Sequence, residues 1–255
     1  MGKGRWLGGV EPLPEQARAR RTVSTFALMG LKNFVASYSS RHYDALRSIF
    51  GESLLGRFGI RRYWYEIDGW FHWRSAQEEA VSSFQSGSRF VEVGTYLGRS
   101  LCSLGEVVER SGKSISVIGI DTCRGNGPEG WRSRDYHAGA VQNGGGTFAG
   151  TLHKNVLDCG FGDKIVLIIS DSVSASQLFS DVSLDWVHLD ARHDYASVKA
   201  DIEAWRPKVK PGGWLSGDDY DTQKWPEVVR AVTDVLPGAQ AWSNHQWRWV
   251  VSNAD

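Results

Sequence analysis

The chain has 255 residues, 41% of them apolar and 23% charged, and its 29 basic and 29 acidic side chains cancel to a formal net charge of zero with a pI near 7.1. That balance argues against a protein whose main task is gripping nucleic-acid phosphates, and the composition is that of one large globular domain rather than a disordered or fibrous chain. Three cysteines without metal-type spacing suggest neither a disulfide framework nor a zinc site, and no stretch reaches the roughly 18 apolar residues of a membrane span, so a soluble protein of the reducing cytoplasm is expected.

Charge is unevenly placed. Residues 1–75 hold 12 Lys and Arg against 6 Asp and Glu, leaving 17 against 23 for residues 76–255. The first residues, MGKGRWLGGVEPLPEQ, contain no uninterrupted apolar run of the kind a secretion signal uses. Residues 1–75 read as a mostly helical, aromatic-rich N-terminal extension ending in RRYWYEIDGWFHWRS. That cluster suits a lid over a cleft, a cap on the following domain, or the interface of a homo-oligomer.

From residue 89 the chain alternates short apolar runs with amphipathic segments, the pattern of a parallel sheet with crossover helices. Strands are predicted at Arg89–Val93, Ile115–Ile120, Lys164–Ile169, Asp185–Leu189 and Gly213–Gly217, and helices at Gly98–Arg110, Ser174–Phe179, Asp194–Trp205 and Pro226–Val235. Two further strand-like pieces, Gln240–Ser243 and Gln246–Ser252, lie too close together for a crossover and should pair antiparallel about a turn at Asn244–His245. The expected fold is therefore α/β, a doubly wound, mostly parallel, seven-stranded Rossmann-like sheet occupying residues 76–255. Residues 122–150, rich in Gly and polar side chains, are expected to form a long functional loop.

In such sheets ligands bind beyond the carboxyl ends of the strands. The first strand runs into Glu92-Val93-Gly94-Thr95-Tyr96-Leu97-Gly98-Arg99-Ser100, a glycine turn before a helix, but Tyr96 stands where a dinucleotide fingerprint needs a glycine beside the pyrophosphate. Glu92, at the strand end, suits a cationic ligand better than a doubly anionic one. Asp121 ends the second strand at the distance where a carboxylate meets ribose hydroxyls. Ser170-Asp171 ends the third, and suits either an adenine amine or a helix N-cap. Asp190 and His193 leave the fourth strand, and Asp218 and Asp219 the fifth. Three carboxylates that close raise one another's pKa unless a cation lies between them, and an all-oxygen set favours Mg²⁺, Mn²⁺ or Ca²⁺ over zinc.

The segments EVGTYLGRS, IGIDT, ISDS and DWVHLDARHDYASVKADIEAWRPKVKPGGWLSGDDY resemble the class I S-adenosylmethionine-dependent methyltransferases. Within them the chain is most similar to the group of the magnesium-dependent macrolide-sugar O-methyltransferases and cephalosporin-hydroxylase-like proteins, over roughly residues 67–252. The resemblance implies that Glu92, Gly94, Thr95, Tyr96, Ser100, Asp121, Ser170 and Asp171 line the cofactor site. It also implies that Asp190, Asp218 and Asp219 hold Mg²⁺, with His193 as catalytic base. Asp218 stands where the family often has Glu.

These expectations add up to a metal-assisted O-methyltransferase acting on a small hydroxylated molecule such as a glycoside or natural product. Trp131, Tyr136 and His137 of the long loop, with Tyr63, Trp64, Trp70 and Trp73 upstream, are the candidate substrate walls, while Arg124, Arg132 and Arg134 suit an anionic substrate instead. A metal-independent N-methyltransferase, a non-catalytic nucleoside-binding module and a dinucleotide oxidoreductase are the rival readings. Titration with S-adenosylhomocysteine against NAD separates the last from the rest.

Overall fold

The computed structural model describes residues 61–126 and 136–252. The chain divides into two compact units, Met1–Ile60 and Arg61–Asp255, and every described residue belongs to the second. This unit therefore begins ahead of residue 76: residues 61–75, grouped by charge with the N-terminal part, include Ile67 and Trp73, which are buried among its core residues.

Seven strands form one sheet: β1 (Arg89–Val93), β2 (Ser116–Asp121), β3 (Ile165–Ile169), β4 (Leu184–Leu189), β5 (Val209–Gly217), β6 (Gln240–Ala241) and β7 (Trp247–Val250). Their order is β3-β2-β1-β4-β5-β7-β6, with β1 to β5 mutually parallel and β7 antiparallel to both β5 and β6. The helices are α1 (Arg74–Ser83), α2 (Arg99–Ser111), α3 (Tyr136–Asn143), α4 (Ala149–Asp158), α5 (Ser172–Ser176), α6 (Tyr195–Trp205) and α7 (Pro226–Val235).

Alternation along the central strands divides the core. Phe90 of β1 and Trp186 of β4 pack with Trp73, Leu101, Leu104, Leu152 and Val156 from α1, α2 and α4 and the segment before them. Val91 and Val93, on the opposite side of β1, pack with Val198, Ile202, Trp205, Val228 and Val232 from α6 and α7. Trp73, Trp186, Trp205 and Trp247 are almost wholly buried, and burying one such side chain is worth on the order of 2–3 kcal/mol.

Three expectations are corrected. Residues 122–150 are not one loop, because α3 and the start of α4 lie within them; periodicity was hidden by glycines at 139, 144–146 and 150. Strand β5 starts at Val209, not Gly213, since its first residue pairs with Leu184 across an irregular register that tolerates exposed Pro211 and Gly212. Helix α5 runs over Ser172–Ser176 instead of Ser174–Phe179, because the Asp171 carboxylate caps it by accepting from the Ser174 amide at 2.9 Å.

Among the described residues no helix is long and apolar enough to cross a membrane.

Candidate active site

The strand tips of β1, β2, β4 and β5 converge, and the closeness of approach is set by Gly94. Its φ is +87°, and a Cβ there would lie 1.8 Å from the Asp190 carbonyl oxygen. Only glycine lets the β1 turn lie against the β4 tip. Tyr96, Cys123 and Asp219, just beyond β1, β2 and β5, also adopt positive φ of 45°, 54° and 58°. For non-glycine residues such backbone is costly and is kept where surrounding bonds over-determine it.

Those bonds are visible at the β1–β2 side. One Asp121 carboxylate oxygen accepts from the Thr95 and Tyr96 amides at 2.9 and 2.8 Å, and the other accepts from the Cys123 amide at 2.7 Å. The carboxylate thus braces two of the strained residues. Burial nonetheless keeps its pKa above the usual range, against the pull of those three donors. Glu92 is buried too, with Ser100 Oγ donating to its Oε1 while Oε2 has no protein partner. Burial outweighs the Ser100 bond and pushes its pKa up to about 8. Thr95 Oγ1 is likewise buried and unpartnered. Two unpartnered polar oxygens beside a glycine turn call for a polar ligand. Ser170 continues this edge through its amide, which bonds the Asp121 carbonyl at 3.0 Å, whereas the Asp171 carboxylate is engaged as the α5 cap.

At the β4–β5 side carboxylates crowd together. Asp190, His193 and Asp219 each offer a ligand atom, and these atoms lie within 4.8 Å of one another. His193 Nε2 lies 2.7 Å from Asp219 Oδ2, and the imidazole stacks on Trp225 with ring centres 4.3 Å apart and planes 28° from parallel. Asp190 has its pKa raised well above the usual carboxylate range, by burial first and then by Asp218 and Asp219. Two carboxylates and an imidazole brought this close are a donor set that fits a divalent cation. Asp218 is placed differently from its neighbour. Its Oδ1 accepts from the Asp219 amide at 2.7 Å and from Gln246 Nε2 at 2.8 Å, and lies 3.5 Å from His72 Nε2. Although burial opposes its charge, the bonds from His72 and the Asp219 amide hold its pKa below the usual range. Beneath the acidic group a cavity of about 20 Å³, room for one water, is lined by Asp190, Arg192, His193, Asp201, Asp218 and Trp247 among others. Beside it a recess of about 280 Å³ opens between His193, Asp194, Lys224, Trp225, Pro226 and Glu227.

The aromatic candidates separate into two groups. Trp70, Tyr136 and His137 gather around Tyr96: Trp70 meets Tyr136 edge-to-face at 5.0 Å, and Tyr96 meets His137 at 4.8 Å and Trp70 at 5.9 Å. Trp70 and Tyr136 are 58% and 78% exposed, so this box is open to a ligand. Tyr63 stacks on Tyr65, and Trp64 donates to Glu106 and meets Phe71 edge-on, so both make packing contacts instead. Trp73 is core, lying 3.9 Å from the His188 ring. Trp131, Arg132 and Arg134 fall outside the described residues.

Sequence reasoning missed His72, His188, Trp225 and Gln246. His188 is registered between Glu92 and Ser216 across β1, β4 and β5, on one face of the sheet. Burial drives its pKa down to about 4, so it is neutral, with Nδ1 2.9 Å from Ser216 Oγ. A histidine at an inward position of an otherwise apolar strand was the available signal. Gln246 carried none.

Comparison with known proteins adds an independent line. A family model described as a methyltransferase domain matches residues 91–220. The O-methyltransferase NovP superposes with a TM-score of 0.51 at 17% identity, over 71% of this chain and 79% of that one. The calicheamicin methyltransferase CalS11 is also similar, with a TM-score of 0.48 and 17% identity over 100% of this chain and 99% of that one. An uncharacterized protein of Sinorhizobium fredii, y4gI, is 29% identical over 125 residues, which are 48% of this chain but only 12% of that protein. This chain thus spans a small part of the curated relative it matches.

Proposed function

The chain belongs to the methyltransferase-domain family, and from that premise we propose that it is an S-adenosylmethionine-dependent O-methyltransferase, assisted by a divalent cation, acting on a small hydroxylated molecule such as a glycoside or another natural product. The observation that carries this reading is the meeting of Asp190, His193 and Asp219 at the strand tips, against the Gly94 turn. An O-methyltransferase needs a place where a hydroxyl loses its proton next to the cofactor, and this group supplies one.

The orphaned Glu92 and Thr95 atoms fit the cofactor's charged methionyl end, and Asp121 its ribose. When bound, S-adenosylmethionine supplies the methyl group. Asp190 and Asp219 would hold the cation, whose chemistry is to lower the pKa of a hydroxyl. His193 takes the hydroxyl proton; the Asp219 carboxylate, 2.7 Å from its Nε2, stabilises the imidazolium, and Trp225 fixes the ring plane. The acceptor's remaining surface rests in the recess beside Trp225 and Lys224, and the exposed Trp70 and Tyr136 beside Tyr96 offer it a further aromatic wall. The three cysteines are buried and free, which suits a reducing cytoplasm.

The test is titration of the purified chain with S-adenosylhomocysteine and with NAD, followed by methyl transfer to a panel of glycosides and catechols with Mg²⁺ or with excess EDTA. S-adenosylhomocysteine binding and EDTA-sensitive transfer are expected. Binding of NAD alone overturns the reading, and full transfer in EDTA replaces it with a metal-independent methyltransferase.

A further inference from the structure

The carboxylate pair at the end of β5 has two different jobs. Asp218 Oδ1 already receives the Asp219 amide and the Gln246 amide nitrogen, with the His72 imidazole 3.5 Å away. Asp219, by contrast, has a left-handed backbone at φ +58° and its Oδ2 lies 2.7 Å from His193 Nε2. Among the described residues, the group able to hold a metal includes Asp190, His193 and Asp219 and leaves Asp218 out.

What holds Asp218 is itself well anchored. Gln246 is fully buried; its side-chain nitrogen also donates to the Asn244 carbonyl at 2.9 Å, and its backbone bonds Ser243 and Trp242. Asn244 and His72 bond reciprocally, His72 Nε2 to the Asn244 carbonyl at 3.0 Å and Asn244 Nδ2 to the His72 carbonyl at 2.9 Å. The Tyr220 amide bonds the His245 carbonyl at 2.7 Å. The turn between β6 and β7 therefore grips the 218–220 loop on both sides of Asp219. A left-handed aspartate needs such over-determination.

We propose that Asp218 is a positioning residue that aims Asp219 at the cation and does not ligate the cation itself, with Gln246 and His72 holding it in that role. This rests on the reading that Asp190 and Asp219 bind a divalent metal, and it departs from the ligand set that the family resemblance implies. Metal sites commonly depend on such supporting partners, whose loss costs about 10–100-fold in affinity.

The experiment is titration of the full chain with Mn²⁺ alone, read by electron paramagnetic resonance, with S-adenosylhomocysteine affinity measured in parallel to show that each variant is folded. Asp218→Asn keeps an acceptor for the Asp219 amide and Gln246, and its Mn²⁺ affinity should stay within about threefold of wild type. Asp218→Ala and Gln246→Leu, which release the grip, should lose about tenfold, and Asp219→Asn at least about 100-fold. An Asp218→Asn loss as large as that of Asp219→Asn makes Asp218 a ligand and overturns the proposal. A Gln246→Leu variant of unchanged affinity overturns it as well. A wild-type chain that takes up no Mn²⁺ overturns the cation reading, and with it the role given to Asp218.

Discussion

Two carboxylates on the same sheet edge, Asp121 and Asp190, are treated in opposite ways. At the tips of β1 and β2, Asp121 receives three backbone amides and Glu92 the Ser100 hydroxyl. At the tips of β4 and β5, Asp190 is surrounded chiefly by other acids, and the described residues donate nothing to it that offsets them. Asp121 has its donors from the protein, whereas Asp190 lacks them, and the cation proposed above would answer that lack. Asp190→Asn tests that difference most severely. Replacing the acid relieves its crowding by Asp218 and Asp219, so the variant should unfold at the same or a higher temperature, while, on the proposed function, turnover falls by about 10³-fold or more because the proposed cation loses a ligand. A clear drop in melting temperature would mean that Asp190 is satisfied within the protein, and the contrast would collapse.

His193 lies beside Asp190. His193→Ala should reduce turnover by about 10²-fold and leave S-adenosylhomocysteine affinity nearly unchanged, as measured by steady-state kinetics and calorimetry. Near-normal turnover would move the base elsewhere.

Glu92 probes the β1–β2 side through pH. The folded chain holds its proton up to about 8, whereas the unfolded chain releases it near the ordinary 4.5. Between those values the unfolded state is the one that ionises, so this group withdraws stability as pH rises from about 4.5 to 8. A cationic ligand favours the carboxylate, so cofactor affinity should climb over pH 6–8 with proton release on binding. Glu92→Gln should flatten both dependences and weaken cofactor binding by about tenfold, seen by calorimetry in buffers of different ionisation enthalpy. An unaltered pH dependence would remove Glu92 from the cofactor site.

The same contrast explains what could be read from the sequence. Strands β1 to β4 and helices α2, α6 and α7 were legible because short apolar runs and caps such as Asp194 are local signals. Glu92, Asp121, Asp190, His193 and Asp219 were legible as candidates because strand ends are where such sheets bind ligands. Gln246 and His72 were not, since their meaning depends on contacts 28 residues away and across the chain with Asp218. Asp218 and Asp219 are chemically identical neighbours, and only the turn that grips one of them tells the two apart.

The smallest expected effect lies between two aromatic side chains that composition alone cannot distinguish. Tyr63 and Trp70 are both largely exposed, yet Tyr63 lies parallel to Tyr65 with centres 5.2 Å apart, whereas Trp70 shares the box around Tyr96. The Trp70 backbone is held independently of its ring, because Arg99 Nη1 donates to the Gly69 carbonyl at 2.8 Å and His72 is tied to Asn244. Removing the indole should therefore leave the segment in place and take away only a wall. Trp70→Ala is expected to raise the acceptor's KM by about three- to tenfold with little change in kcat, the pattern of lost uniform binding, since a ring contact is worth about 0.5–1.5 kcal/mol. Tyr63→Ala should leave both constants unchanged. Equal effects from the two variants would mean that exposure, and not the Tyr96 box, decides which aromatic residues meet the substrate.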